Sequence, residues 1–397
     1  MHSKTIIKLE CDMEPVIEAM EERGLNVNLS KLQELTEITA QEKLLIDTKL
    51  KMLLDVGENV NFNSSRDVSK LLKSHFGIKP TTTSTGRFST SRRILKGLHN
   101  PVTDEIIRFR DLEKLLSSLK AIRNATDKDD GKIYCTYVDT CPSGRLYTKS
   151  YSFQSIPEVA REVIYPDKGC SFVLADYDSF ELRILSALAH DKYFKDCWDR
   201  GLDLHRKVVS DMKAIPYEDV TDKQRKLGKA LNFGLSYGQE AVGLARVLHV
   251  STEQAQELMD TYKSKIPEIE EFKLDIITKA RQLGYCETHF GRKRLLPGLL
   301  SPNTSVRKKA ERRVVNTMIQ GTGADIVKFS LVNLHNAGFS IDTMLHDGIL
   351  LTVFDNEIDL SMRRIKEIME VTISGVVFPV SQKTGKTWKE CYGKGEA

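Results

Sequence analysis

The sequence predicts an α+β fold whose sheet is assembled from segments far apart in the chain. Three observations carry this. Apolar residues recur at helical spacing through the first 120 residues. Strands read near 132–137 and 171–177, and a mostly helical block from 190 to 290 separates them from an alternating segment at 341–354. Helices, strands, a helical insertion and strands again make an α+β order rather than a regular βα repeat.

The elements follow in order. Glu14 to Arg23 carries Val16, Ile17 and Met20 at helical spacing, and Gly24 is a natural stop. Residues 31–55 read as a long amphipathic helix. Asn61 to Ser65 reads as a turn and a cap, leading a short helix to His75. Residues 80–91, rich in threonine and serine, read as a loop, and 104–122 as a helix. Lys132 to Tyr137 and Ser171 to Tyr177 are expected strands, and Phe180 to Leu188 a helix. The segment 341–354 alternates like a hairpin, and 358–375 is expected to be a helix.

Composition narrows the function classes. The chain has 397 residues, 40% apolar and 29% charged, which supports a sizeable core and either two or three lobes or one large domain with an insertion. Lys+Arg total 59 against 55 Asp+Glu, a surplus of +4 that neither demands nor excludes a polyanionic partner. No run approaches the roughly 18 apolar residues of a membrane helix, and the first residues lack the apolar stretch of a secretory signal. The seven cysteines form no CxxC pair, which argues against a disulfide scaffold or a zinc site and for a reducing compartment.

Four segments could carry chemistry. In Val173-Leu174-Ala175-Asp176-Tyr177-Asp178-Ser179-Phe180-Glu181 an apolar strand ends in a carboxylate. That suits a hard cation such as Mg²⁺, which takes one or two carboxylates plus substrate phosphates. It also suits an acid that merely ends a strand and caps a helix. In Met344-Leu345-His346-Asp347-Gly348-Ile349 the Asp-Gly pair between apolar runs predicts a type I′ hairpin with Asp347 at its tip. Two such carboxylates could share two metal ions about 3.5–4 Å apart. Arg225, Lys229, Phe233 and Tyr237 are each four apart. On a helix each such step advances about 40° and rises about 6 Å, so two cations and two aromatics fan along one face, the shape of a nucleotide. The basic runs at 292–294 and 307–313 fit phosphate-backbone contacts.

In this order, these segments resemble the family A DNA polymerases of the bacterial DNA polymerase I type. The first resembles motif A, the cation–aromatic helix motif B (Arg-x3-Lys-x3-Phe-Gly-x2-Tyr-Gly), and the hairpin motif C. Phe62-Asn63-Ser64-Ser65, Ser143-Gly144-Arg145-Leu146, Asp203-Leu204-His205, Gly291-Arg292-Lys293-Arg294 and Gln320-Gly321-Thr322-x-Ala324-Asp325 add matches, over about residues 10–390. The resemblance implies a right-hand fold with an antiparallel-sheet palm, helical fingers and a helical thumb. It assigns 1–29 to a lead-in to the palm, 30–122 to the thumb, 123–189 to the first part of the palm, 190–304 to the fingers and 305–397 to the second part. It implies a short, phage-like polymerase without the family's nuclease domains, hence without proofreading, and expected as a cytoplasmic monomer in a bacterial cell or infected host. Its partners would be primer–template DNA, dNTPs and unidentified replication proteins, without a membrane.

Roles follow position by position from the resemblance. Asp176 and Asp347 would hold two Mg²⁺ ions, with Mn²⁺ able to substitute, and the Tyr177 carbonyl would be a further ligand. His205, Arg225 and Lys229 would bind the triphosphate, with Lys229 serving the pyrophosphate leaving group. Phe233 and Tyr237 would pack on the incoming nucleotide, and Glu181 would exclude a ribose 2′-OH. Arg145, Arg312, Asn316, Gln320 and His346 would touch the primer–template. The family's motif C reads His-Asp-Glu, whereas this chain has Gly348 in the third place and an added acid, Asp178, in motif A. Strand alternation would put Asp176 and Asp178 on one side, so Asp178 is expected to replace the missing acid and Gly348→Glu to rescue its loss. An RNA-synthesising polymerase or primase, and a non-catalytic primer–template binder, are the alternatives.

Overall fold

The computed structural model describes residues 2–77, 89–138, 141–236, 240–248 and 250–392. In chain order the helices are α1 (Lys4–Arg23), α2 (Leu29–Leu53), α3 (Ser65–Phe76), α4 (Arg92–Gly97), α5 (Pro101–Ala125), α6 (Phe180–Ala189), α7 (Lys192–Asp199), α8 (Leu204–Lys213), α9 (Asp222–Ser236), α10 (Ala241–Leu248), α11 (Thr252–Lys263), α12 (Pro267–Leu283), α13 (Thr304–Asn316), α14 (Thr322–Asn336) and α15 (Ile358–Met369). The strands are β1 (Leu25–Val27), β2 (Lys132–Ile133), β3 (Tyr137–Val138), β4 (Tyr147–Thr148), β5 (Ile164–Tyr165), β6 (Cys170–Tyr177), β7 (Tyr285–Glu287), β8 (Lys293–Leu295), β9 (Ser340–Leu345), β10 (Gly348–Phe354), β11 (Val371–Ile373), β12 (Val376–Phe378) and β13 (Val380–Gly385). The loop expected at 80–91 lies outside the described residues up to 88, and so does Tyr237.

The chain divides into two compact units. One gathers Gly24–Tyr134, Ser155–Phe172 and Gly385–Ala397. Its core packs α2 on α5 around Ile46, Leu50, Phe62, Val68, Leu72, Ile106 and Phe109, with Phe62 edge-on to Phe109 at 5.6 Å between ring centroids. Polar caps set the helix starts. Asn28, Ser64 and Asn100 accept backbone N–H bonds at the starts of α2, α3 and α5, satisfying donors that a helix cannot pair internally.

The other unit holds Met1–Arg23, Cys135–Gln154 and Val173–Thr384. Its sheet runs β13-β6-β10-β9, so strands more than 150 residues apart lie side by side, as the sequence predicts. Buried on both faces along most of their length, β6, β9 and β10 read as near-continuous apolar runs. Helix α14 packs against α1, α6 and α15. Among the described residues, no helix is long and apolar enough to cross a membrane.

Three elements differ from the sequence reading. Helix α1 begins at Lys4 and runs through Pro15, because Ile6, Leu9, Met13, Val16 and Met20 bury one continuous stripe. Proline removes one backbone bond, and that stripe outweighs it. The strand expected over 132–137 is broken into β2 and β3, which pair with different partners. Helix α15 stops at Met369. The β-branched run Val371-Thr372-Ile373 instead pairs with β12 across Ser374-Gly375, both at positive φ, the signature of a type I′ turn.

A buried ionic cluster ties the second unit together. Arg292 Nε donates to Asp325 Oδ1 at 2.7 Å and its Nη2 reaches Glu10. Lys328 Nζ donates to both Glu10 oxygens at 2.6 and 2.9 Å, and Thr288 Oγ1 to Asp325 Oδ2 at 2.7 Å. Arg292, Asp325 and Lys328 are all buried. Removing one partner from such a cluster costs about 3–5 kcal/mol, because a charge is left buried and uncompensated. Asp325→Ala should therefore lower the unfolding free energy of this unit by that order, read as an earlier urea transition by circular dichroism, whereas a change at exposed Lys279 should not.

Candidate active site

The ends of two neighbouring strands bring Asp176 and Asp347 together. Strand β6 ends at Tyr177, whose hydroxyl sits 2.8 Å from Ser330 Oγ and donates to Met369 O at 2.6 Å. Asp176 is therefore held one residue before an anchored ring. Asp347 lies in the β9–β10 turn. The turn differs from the sequence reading. Leu345 pairs with Gly348, so the two central residues are His346 and Asp347, and only His346 has positive φ, at 55°. Type I′ needs positive φ at both central positions, so this turn is not type I′.

Gly348 is not there for backbone freedom, since its φ is not positive. Space explains it: a Cβ on residue 348 would stand 2.9 Å from Asp176 Oδ1 and 3.4 Å from the Ala175 carbonyl. The acid that the family places here would have to displace the Asp176 carboxylate. Asp178 lies beyond the end of β6, in the turn before α6, so strand alternation does not reach it, although its charge still acts on Asp176. Burial, then Asp347, then Asp178 push the Asp176 carboxyl up to about 7. Burial also raises Asp347, against the pull of its own backbone N–H, His346 and Arg145.

A cavity of about 340 Å³ opens beside Asp347. Arg145, Phe180, Glu181, Gln320, His346 and Asp347 line it, with Ser179, Ile319, Gly323 and Ala324. Five expected site residues from four distant segments thus meet around one space. Arg145 Nη2 donates to Glu181 Oε1 at 3.1 Å. Burial raises the Glu181 carboxyl, Arg145 opposes it and Asp347 adds to it. Gln320 sits on a π-helical turn, Thr317–Gly321, between α13 and α14. Such turns recur at functional sites, and periodicity did not reveal this one. Asn316 precedes it, with its Oδ1 buried and unpartnered among the described residues. Arg312, one turn earlier, donates to Glu240 at 3.4 Å and is not a lining residue of the cavity.

A second group sits on α8 and α9. Arg225 donates from Nε and Nη2 to Asp203 Oδ2 at 2.9 and 2.6 Å, while Asp203 Oδ1 caps α8. Burial opposes ionisation of Asp203, yet Arg225 and the cap bond hold its carboxyl below the usual range. His205 is buried behind a relay that the sequence did not reveal. The Tyr262 hydroxyl donates to Asn232 Oδ1 at 2.6 Å, which turns the Asn232 amide N–H toward His205 Nδ1 at 2.7 Å. Nδ1 must then accept, so the imidazole keeps its proton on Nε2. Gly228 permits the contact, since a Cβ there would stand 2.0 Å from the His205 carbonyl. Lys229 is exposed on the same helix. The side chain of Phe233 and all of Tyr237 lie outside the described residues.

Comparison with known proteins places these features in one family. The model for DNA polymerase family A matches residues 29–390. DNA polymerase I of Lactococcus lactis is 31% identical over 96% of this chain and 45% of its own length. DNA polymerase I of Bacillus caldotenax is 28% identical over 97% of this chain and 46% of its own. The chain thus spans about half the length of these relatives. The solved POL domain of Pol1 from M. smegmatis, in complex with DNA primer-template and dNTP, superposes with a TM-score of 0.87 at 28% identity, covering 96% of this chain and 70% of that one.

Burial lowers the His205 pKa from 6.5 to about 4, against the pull of Asp203 and with help from Arg225 and Lys229. The unfolded chain therefore takes up this proton first. Stability attached to the neutral imidazole is complete above about pH 6.5 and is lost as pH falls through about 4. Imidazole nitrogen NMR should show a neutral Nε2–H tautomer down to about pH 4, and His205→Gln should flatten the acid side of the stability profile.

Proposed function

The chain belongs to DNA polymerase family A, and on that premise we propose that it is a template-directed DNA polymerase, joining dNTPs to a primer 3′-hydroxyl. One observation carries the reading: Asp347 lines a cavity together with Arg145, Glu181, Gln320 and His346, and Asp176 lies at the end of the neighbouring strand.

The acids suit divalent cations. Burial, with repulsion from Asp347 and Asp178 added to it, lifts Asp176 to about 7, and a bound cation would offset this. Two carboxylates and a backbone carbonyl make a donor set that a magnesium site completes with substrate phosphates. Asp176, Asp347 and the Tyr177 carbonyl would hold the ions. When bound, they supply charge stabilisation for an attacking and a leaving oxygen.

The chain's own residues do the rest. Arg225, steadied by Asp203, and Lys229 present cations along α9 to a triphosphate, and neutral His205 offers an N–H donor. Lys229 stands by to neutralise the departing pyrophosphate. Phe233 and Tyr237 supply the aromatic faces for the incoming nucleotide. Glu181 fills the cavity where a ribose 2′-hydroxyl would lie. Arg145, Arg312, Asn316, Gln320 and His346 contact the primer–template, and the orphaned Asn316 Oδ1 is a ready acceptor for it. Catalysis is then largely positioning and electrostatics. The expected setting is bacterial or phage-infected cytoplasm, which suits a cysteine pattern without CxxC pairs.

Primer extension on a labelled primer–template with Mg²⁺, with dNTPs and rNTPs in parallel, tests this reading. Extension should occur with dNTPs, and Asp176→Asn or Asp347→Asn should lower kcat by at least about 10²–10³-fold. Extension with rNTPs would favour the RNA-synthesising alternative. Retained DNA binding without any extension would make the chain a binder. In the same assay Gly348→Glu should lower extension, because its side chain displaces Asp176. A rate above wild type would show that the carboxylate yields without loss.

A further inference from the structure

Glu181 is the second residue of α6, and the start of that helix is unusually bare of polar fixation. The capping residue, Ser179, has a positive φ of 52° and makes no side-chain cap bond. Aromatic packing holds this end instead. The Phe180 ring stacks on Tyr177 at 4.6 Å and 13°, and meets Phe378 edge-on at 6.0 Å. Tyr177 cannot drift, because its hydroxyl is fixed at Ser330 and Met369. Arg183, one turn later, adds bonds to the Asp178 and Val377 carbonyls. The remaining side of the ring faces Gly323 on α14.

Gly323 has no positive φ, so its backbone does not require glycine. A Cβ there would stand 2.9 Å from Phe180 Cε1 and 3.2 Å from Ile184 Cδ1. Below 3 Å something must move, and the ring is clamped by Tyr177 and Phe378. Phe180 and Gly323 are thus a matched pair, a large side chain received by an absent one. Both also line the cavity that holds Glu181.

We propose that Phe180 and Gly323 act together as positioning residues that set where Glu181 stands, and so set the selection of deoxyribose over ribose. This rests on the polymerase reading above. The pair touches the lining of the sugar pocket, not the reacting atoms. Replacing Gly323 by alanine pushes the ring and the helix start with it. Replacing Phe180 by leucine removes the Cε1 contact and loosens the same start. Combining them refills the space, because a leucine methyl near the present Cδ1 would lie about 3.6 Å from the new Cβ, an ordinary contact.

The test is a double-mutant cycle read as the ratio of kcat/KM for a dNTP to that for the matching rNTP. A ratio within each variant cancels differences in the amount of folded protein. Gly323→Ala and Phe180→Leu should each lower the ratio by about tenfold, the worth of a misplaced methylene in a pocket. Phe180→Leu/Gly323→Ala should recover most of it, and Glu181→Ala should set the floor. Unchanged ratios in the single variants, or losses that multiply in the double variant, would overturn the inference while leaving the polymerase reading intact. A wild-type ratio that survives Glu181→Ala would also overturn it. No dNTP extension by the wild-type protein would overturn both together.

Discussion

Everything at the candidate site depends on how closely the end of β6 approaches the start of β10. The strands are neighbours in one sheet, so their spacing is set by backbone hydrogen bonds. At residue 348 a side chain would require the Asp176 carboxylate to shift, since a Cβ there stands 2.9 Å from its Oδ1. Two consequences follow. The acids are held together by secondary structure rather than by each other, since they repel. The repulsion also appears in the Asp176 carboxyl, which burial raises first and Asp347 and Asp178 raise further, whereas burial alone raises Asp347. Such a pair is destabilising alone and becomes favourable only with positive charge nearby. A site of this kind trades stability for readiness to bind cations and phosphates.

The surrounding chemistry separates into charges that are satisfied internally and charges that face the cavity. Arg292, Asp325, Lys328 and Glu10 neutralise one another and join α1 to α14 and to the β7–β8 turn. Arg225 is aimed by Asp203, and the His205 tautomer is fixed by Asn232 and Tyr262. By contrast, Asp176 and Asp347 have repulsion as their main electrostatic relation.

Much of this was legible in the sequence because the relevant signals are local. The apolar run ending in Asp176, the hairpin around Asp347 and the four-residue spacing from Arg225 each need only one short segment. What the sequence concealed depends on contacts between segments. The β9–β10 turn shifted by one residue because pairing of Leu345 with Gly348, rather than the Asp-Gly signal, sets its centre. The His205 relay joins residues 27 and 30 positions apart. The π-turn at Thr317–Gly321 leaves no periodic trace. Helix α15 ended early because Ser374-Gly375 closes a hairpin that apolar periodicity alone reads as a further helical turn.

Three glycines express the same cross-segment logic. Gly228 meets the His205 backbone, Gly323 meets the Phe180 ring and Gly348 meets the Asp176 carboxylate. None has positive φ, so none is explained by turn geometry. In helices such as α9 and α14 a glycine costs roughly 1 kcal/mol against alanine. That cost is offset where a methyl would collide with a group whose position matters. Each of the three stands against a group assigned to substrate or metal, or against the ring beside one. At these three positions, glycine without turn geometry therefore marks where one element approaches another within a side chain's width, which is how distant segments are brought into a single site.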